Sequence, residues 1–138
     1  MIRVLVADDD RRVRQTYRLL LKRQTDIEII GEVENGREAI DLARKLDPDV
    51  ILMDIRMPVM DGLQATRVLS AGNRFRVLIA SALLEETAVG TAMANGARGY
   101  LLKGEGFKEL ASAIRIVYAG KTFISPSIER LLLYSLSA

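Results

Sequence analysis

Short apolar runs alternate with segments of helical spacing along most of the chain, and this alternation constrains the possible fold more strongly than any other feature. The apolar runs are rich in Val, Ile and Leu and show little polar alternation, which is typical of parallel strands covered on both faces. The sequence therefore predicts strands at Ile2–Ala7, Ile27–Val33, Val50–Met53, Val77–Ala80 and Gly99–Leu102.

The segments between these runs place apolar residues on one helix face. In the first segment, Val13, Tyr17 and Leu21 recur at the spacing of an amphipathic helix, and later segments repeat the pattern. Strands that alternate with helices join through right-handed crossovers into a parallel sheet. We therefore predict an α/β fold with a doubly wound, flavodoxin-like sheet of five parallel strands in the order 2-1-3-4-5.

The residues after Gly120 break this repeat. Thr122–Pro126 has an extended pattern, and Ile128–Leu136 has the composition of a short helix that contains three consecutive leucines. A helix that packs back on the domain, or serves as a linker, is the favoured interpretation. The alternative is a docking surface, because three consecutive leucines cannot all face one core.

Composition excludes several classes of function. The 138 residues suit one domain and include neither cysteine nor histidine, which excludes disulfides, thiolate metal sites and histidine-based catalysis. The net charge of +2 is too small to indicate nucleic-acid binding, and we interpret the arginines of the first helix as a solvated face. No apolar run reaches the ~20 residues of a membrane span, and no signal-peptide pattern is present. We therefore expect a cytoplasmic protein with no membrane partner.

Polar side chains stand at the ends of four predicted strands. Three aspartates follow the first strand, one aspartate the third, a serine the fourth and a lysine the fifth: Asp8, Asp9, Asp10, Asp54, Ser81 and Lys103. Because ligands of such sheets bind outside the carboxyl ends of the strands, we expect these side chains to form one site. A single aspartate after a strand is more often a helix cap, and Asp10 has that simpler interpretation.

Carboxylates, an ammonium group and a hydroxyl in one cluster suit phosphoryl chemistry. Clustered carboxylates repel one another unless a cation stands among them, and a hard divalent ion such as Mg²⁺ prefers oxygen ligands. Lys103 adds a second positive charge and Ser81 adds a hydrogen-bond donor. Together they can bind the oxygens of a phosphoryl group while Asp54 attacks in line.

Four segments carry a family resemblance. They are Val4–Asp10, Asp54–Pro58 continued by Met60–Gly62, Ser81–Ala82, and Gly99–Lys103. In this order they resemble the receiver domain of bacterial two-component response regulators, from Ile2 to about Gly120. The resemblance implies the CheY-like form of the flavodoxin-like fold. The run before Lys103 and the tail Ala119–Pro126 are most similar to the NarL/FixJ (LuxR-type) subgroup.

The resemblance also implies a role for each residue of the cluster. Asp54 is expected to accept a phosphoryl group from a sensor histidine kinase, with Mg²⁺ as the cofactor. The implied metal ligands are Asp8, Asp9, Asp54 and the backbone carbonyl of Arg56. Ser81 and Lys103 are implied to contact the phosphoryl group, while Ser81 and Tyr100 form the conformational switch. Such a domain assists only its own phosphorylation and dephosphorylation, so we do not expect an enzyme acting on a separate substrate.

The same resemblance predicts how the chain is organised and what it binds. Residues 1–120 are expected to form the receiver domain, and residues 121–138 a linker with a C-terminal helix. LuxR-type regulators control transcription through a DNA-binding domain, which is absent from this chain. The expected partners are the sensor kinase, a second copy after phosphorylation, and DNA only through that absent domain.

Three positions near the site are notable: one departs from the usual family residue, and two carry bulky side chains. Gly104 follows Lys103 where an acidic residue or proline is more usual, so the loop is expected to be freer. Arg56 and Leu83 each lie two residues beyond a site residue and are expected to border the path of an attacking water. We hypothesise that this bulky pair slows hydrolysis of the aspartyl phosphate; unchanged dephosphorylation in Arg56→Ala and Leu83→Ala variants would contradict it.

Other functions fit the sequence less well. A nucleotide- or flavin-binding protein needs a glycine-rich loop after the first strand, where this chain has three aspartates. A phosphatase with an aspartate nucleophile needs a substrate pocket or cap insertion, and the connections here are too short for one. A stand-alone or phosphorylation-independent receiver that acts as a protein-interaction module stays open as the alternative.

Overall fold

Six parallel strands form one sheet in a computed structural model that describes residues 1–137 of the chain. The strands are β1 (Ile2–Ala7), β2 (Ile27–Val33), β3 (Val50–Met53), β4 (Val77–Ser81), β5 (Gly99–Leu102) and β6 (Phe123–Ile124). Their order in the sheet is β2-β1-β3-β4-β5-β6, and each neighbouring pair is parallel. Ala138, the last residue of the predicted C-terminal segment, lies outside the described residues.

Helices follow each of the strands. They are α1 (Arg11–Lys22), α2 (Gly36–Leu46), α3 (Gly62–Ser70), α4 (Glu86–Ala94), α5 (Leu110–Tyr118) and α6 (Pro126–Ser137), with short 3₁₀ turns at Ala71–Asn73 and Phe107–Glu109. Three helices begin at a polar side chain that accepts a backbone N–H of the first turn, namely Asp10, Asn35 and Asp61. The interpretation of Asp10 as a cap is confirmed.

The two faces of the sheet hold separate apolar clusters. Side chains along β1 alternate between them, so that Leu5 and Ala7 join one cluster while Val4 and Val6 join the other. Buried residues of α1 and α5 cover the Val4 face, and those of α2, α3, α4 and α6 cover the Leu5 face. Helices on both faces of a parallel sheet are the predicted doubly wound arrangement.

The prediction of five strands was wrong by one. The order 2-1-3-4-5 holds for the first five, but β6 adds a sixth strand that pairs with Gly99 and Tyr100 of β5. Thr122–Pro126 was recognised as extended, yet a two-residue strand is too short for a periodic pattern to reveal its partner. Pairing satisfies backbone groups that the edge of β5 would otherwise expose. A smaller difference is that β4 ends at Ser81 rather than Ala80.

The helix α6 packs back on the domain. Ile128 is completely buried in the Leu5-face cluster, and Leu132 packs against that cluster. Leu133, the last of the three consecutive leucines, is exposed, as expected for neighbours that cannot share one face, and Leu136 is exposed as well. A docking role for the outer side of α6 stays a prediction. No helix in residues 1–137 combines the length and apolar character needed to cross a membrane.

Candidate functional site

The carboxyl ends of β1, β3, β4 and β5 bring the predicted site residues to one edge of the sheet. The Lys103 Nζ lies 2.7 Å from Asp8 Oδ2 and 3.2 Å from Asp54 Oδ1. Lys103 and Asp8 are 95 residues apart in the chain, so only the parallel topology makes them neighbours. Ser81 is held to the same edge because its carbonyl accepts the backbone N–H of Lys103 at 2.8 Å.

Backbone bonds orient both buried carboxylates. Asp8 and Asp54 are 1% and 9% exposed, so their charges need local partners. Asp8 Oδ1 accepts the N–H of Asp10 at 2.9 Å, and Asp54 Oδ1 accepts the N–H of Ile55 at 2.9 Å. Each carboxylate therefore has a defined direction before any ligand arrives.

Burial and charge perturb the ionisation of the site. Burial raises the pKa of Asp54 to about 6; the Lys103 ammonium opposes this rise and the Asp8 carboxylate adds to it. Burial disfavours the charged form of Lys103, but hydrogen bonding to Asp8 and the charge of Asp54 raise its pKa above the ordinary value. Lys103 is therefore a permanent cation at neutral pH, shared between two acids.

The three carboxylates fit a hard divalent cation. Carboxylate oxygens of Asp8, Asp9 and Asp54 all lie within 4.8 Å of one another. One lysine faces this group, so its negative charge exceeds the positive charge when all three acids are ionised. An all-oxygen set with excess negative charge suits Mg²⁺. Arg56 follows on the next loop with an exposed side chain, and its carbonyl as a further ligand stays a prediction.

The two predicted switch residues meet at Leu83. The hydroxyl of Ser81 accepts the N–H of Leu83 at 3.1 Å, and the hydroxyl of Tyr100 donates to the carbonyl of Leu83 at 2.8 Å. Tyr100 is completely buried, and burial raises the pKa of its hydroxyl. In this structure the ring of Tyr100, one of the two residues implied to form the switch, lies inside the domain.

A close backbone approach shapes the loop after Asp54. A Cβ atom on Gly62 would lie 1.8 Å from the carbonyl oxygen of Asp54, so only glycine fits there. The Gly62 N–H also donates to the carbonyl of Ile55 at 2.7 Å. Within the loop, Val59 adopts a φ of 68°, which is strained for a β-branched residue. The loop that begins at Asp54 is therefore tightly constrained.

Comparison with known proteins decides the family. The response regulator receiver domain matches residues 4–115. The chain belongs to this family. It is 41% identical over 129 residues to the response regulator GacA of Pseudomonas viridiflava, covering 93% of this chain and 60% of that protein. It is 39% identical over 122 residues to the transcriptional regulatory protein LiaR of Bacillus subtilis, covering 88% of this chain and 58% of that protein.

A solved structure supports the same placement of this receiver domain. A LuxR-family two-component response regulator from Aurantimonas sp. SI85-9A1 superposes with a TM-score of 0.93 at 30% identity, over 99% of this chain and 98% of that one. The resemblance to LuxR-type receivers is thereby confirmed. The chain spans about 60% of the length of the curated relatives it matches.

Sequence reasoning missed one residue that bonds to the receiver site and one that the charges of the site influence. Arg14 was interpreted as part of a solvated face, but its side chain is only 13% exposed and donates to the backbone carbonyl of Asp8 at 2.7 Å. Tyr17 was assigned only to the core, yet the charges of Asp8 and Asp54 add to burial in raising the pKa of its hydroxyl. Arg14 lies between two predicted core positions, Val13 and Tyr17, which was the one available signal.

Proposed function

We propose that this receiver domain accepts a phosphoryl group on Asp54 from the phosphohistidine of a sensor histidine kinase, in a magnesium-dependent reaction. The observation that carries the proposal is the Lys103 ammonium group, which lies within 3.2 Å of both buried carboxylates, Asp8 and Asp54. A structural ion pair would need one acid, whereas two acids on one lysine leave an excess of negative charge. A divalent cation would neutralise this excess and so allow an anionic phosphoryl group to approach.

The proposed transfer moves one phosphoryl group between two proteins. A carboxylate oxygen of Asp54 attacks phosphorus, the phosphorus–nitrogen bond of the donor breaks, and the donor imidazole keeps that electron pair. The product on Asp54 is an acyl phosphate. Since these 138 residues contain no histidine, the phosphohistidine lies outside them, and on this proposal it belongs to the sensor kinase.

The remaining site residues have supporting roles in this proposal. Asp8, Asp9 and Asp54, with the carbonyl of Arg56, would hold Mg²⁺, which would supply positive charge that neutralises the acidic cluster. Lys103 pairs with the phosphoryl group, and the hydroxyl of Ser81 donates a hydrogen bond to it. These are the groups whose positive charge and donors face the charge that develops during transfer.

The proposed switch runs through the loop at Leu83. If Ser81 moves toward a phosphoryl group, its bond with the Leu83 N–H changes, and Tyr100 holds the carbonyl of the same residue. The loop leads into α4, whose position then changes. Complete conversion from 1:99 to 99:1 would need about 5.5 kcal/mol, and a partial shift needs less. Phosphorylation acts only through its differential stabilisation of one state.

We further propose that the output is transcription control. The support is that the relatives include a transcriptional regulatory protein, LiaR, and a LuxR-family regulator. On this proposal residues 1–120 form the receiver, residues 121–138 lead toward a LuxR-type DNA-binding domain, and phosphorylated copies dimerise in the cytoplasm.

Intact-mass spectrometry tests the phosphoacceptor directly. The chain is incubated with acetyl phosphate and Mg²⁺, with EDTA in a parallel sample. We expect a gain of one phosphoryl mass that requires Mg²⁺ and is lost in Asp54→Asn. The matched control is Asp10→Asn, because asparagine caps α1 as well as aspartate and Asp10 lies outside the carboxylate triad.

Two results would contradict the proposal. One is an equal mass gain in Asp54→Asn, which would assign the modification elsewhere. The other is a native chain that gains no mass from acetyl phosphate or from a phosphorylated sensor kinase, which would favour the phosphorylation-independent interaction module.

A further inference from the structure

Residues at the start of α6 are hydrogen-bonded to the chain on both sides of Lys103. On one side, the backbone N–H of Leu102 donates to the Ser125 hydroxyl at 2.8 Å. On the other side, the Glu105 carboxylate accepts the Ser127 hydroxyl at 2.6 Å and the Ser127 N–H at 3.3 Å. Three hydrogen bonds thus flank the lysine that faces Asp8 and Asp54.

The α6 end of this connection is well anchored. Ser125 and Ile128 are both completely buried. The N–H of Ser125 donates to the carbonyl of Tyr100 at 3.0 Å, and its own carbonyl accepts the N–H of Glu129 at 3.0 Å in the first turn of the helix. A shift of the helix start would therefore disturb the end of β5, which leads directly into Lys103.

Lys103 itself is bonded to the residues of the acid site. The backbone N–H of Lys103 donates to the carbonyl of Ser81, and its ammonium group contacts Asp8 and Asp54. Gly104 follows with a φ of 91°, a conformation that glycine adopts without strain. This turn lets the lysine face the carboxylates while the next residue faces α6. The loop was expected to be freer, but the backbone of Leu102 and the side chains of Lys103 and Glu105 restrain it.

We propose that Glu105, Ser125 and Ser127 are positioning residues for Lys103, so that the start of α6 tunes the reactivity of the acid site and phosphorylation of Asp54 loosens α6. The inference rests on the proposed function and extends it to the C-terminal helix. Coupling between two sites is reciprocal in free energy. If the hydrogen bonds of Glu105, Ser125 and Ser127 stabilise the present position of Lys103, a move of Lys103 to a phosphoryl group weakens those bonds. Hydrogen bonding to Ser127 also lowers the pKa of Glu105, which keeps the acceptor ionised.

The rate of phosphorylation tests the positioning role. Ser127→Ala and Glu105→Ala are compared with the native 138-residue chain in acetyl phosphate, over a series of Mg²⁺ concentrations. We expect the rate at saturating Mg²⁺ to fall about fivefold, the factor that loss of one hydrogen bond of ordinary net strength produces. The half-saturating Mg²⁺ concentration should stay the same, because the three carboxylates are untouched. Ser127→Thr keeps the hydroxyl and should restore the rate.

The matched control is Glu109→Ala. Glu109 lines the same surface cavity of about 340 Å³ as Glu105, but the bonds of Ser127 go to Glu105 and Arg130 instead. If Ser127→Ala and Glu105→Ala react at the same rate as Glu109→Ala, the positioning role is overturned.

Hydrogen exchange of α6 can be measured both without phosphorylation, in variants of the unmodified chain, and after phosphorylation of the native chain. We expect Glu105→Ala and Lys103→Met to raise amide exchange in residues 126–137 of the unmodified chain, while β1 and β3 are unchanged. In the native chain, acetyl phosphate with Mg²⁺ should raise exchange in the same residues.

The outcomes separate the two proposals. Phosphorylation by mass with no change in α6 exchange overturns the coupling and leaves the phosphoacceptor proposal intact. Failure of the native chain to be phosphorylated counts against the proposed function, and Lys103→Met then decides the coupling: faster α6 exchange supports it, and unchanged exchange overturns it.

Discussion

At the residue scale, Gly62 shows how one position without a side chain shapes the site. The backbone of α3 begins so close to Asp54 that a Cβ at Gly62 would lie 1.8 Å from its carbonyl oxygen. Gly90, by contrast, lies inside α4 with open space around it. Glycine is therefore required by close packing at position 62, whereas position 90 has room for a larger side chain.

This contrast gives a prediction for two alanine variants. Gly62→Ala should destabilise the domain by at least about 1–3 kcal/mol, because the clash is with backbone that cannot rotate away. Gly90→Ala should stabilise it by about 1 kcal/mol through helix propensity. Urea unfolding measures both free energies of unfolding. Equal effects of the two substitutions would contradict the close approach at Gly62.

At the element scale, α6 packs on the receiver core and does not stand apart from it. Its buried residue Ile128 shares an apolar cluster with Tyr100, and β6 before it completes the sheet. The periodicity of the sequence indicates this helix but not its position, because short helices with several leucines have more than one possible buried face.

The packing of α6 leads to a second prediction. Ile128→Ala should lower the free energy of unfolding by about 2–5 kcal/mol, the range for removal of a fully buried aliphatic side chain. Leu136→Ala is the control, since Leu136 is 84% exposed and exposed substitutions change stability by about 0.5 kcal/mol or less. Thermal melts followed by circular dichroism would show the difference. If Ile128→Ala did not lower the stability of the domain, α6 would have to be detached in solution.

At the scale of the whole molecule, the parallel sheet concentrates negative charge at one edge. Burial raises the pKa of Asp54 to about 6, above the ordinary value of 3.8. Above pH 6 this acid is ionised in both the folded and the unfolded state, so the folded state carries the full cost of burying the charge. Below pH 3.8 it is protonated in both states and the cost vanishes.

The third prediction follows from that sign. In metal-free buffer, Asp54→Asn should raise the free energy of unfolding at pH 8 by on the order of 2–3 kcal/mol, with the gain shrinking as pH falls from 6 toward 4. Added Mg²⁺ should stabilise the native chain and so reduce the difference in free energy of unfolding between it and Asp54→Asn at pH 8. Asp61→Asn, which keeps the cap of α3, serves as the control. A variant that is no more stable than the native chain at pH 8 would contradict this account.

Much of the site could be anticipated from residue chemistry alone. Lys103, Asp8 and Asp54 were assigned to one edge because each follows an apolar run, and the structure places all three within hydrogen-bonding reach. The bond from Arg14 to the Asp8 carbonyl was indicated only by the position of Arg14 between Val13 and Tyr17, since a long side chain on a helix can extend toward solvent or toward the sheet.

Local pattern by itself determined the fold class and five of the six strands, and it singled out the polar residues at the strand ends, because hydrophobic period and residue type are properties of short segments. Only the tertiary structure decided the pairing of β6, the burial of Ile128 and the bonds from Glu105 to Ser127. Each of these joins segments far apart in the chain through a few contacts. Such contacts depend on the geometry of the assembled sheet, so the sequence of a short segment does not predict them.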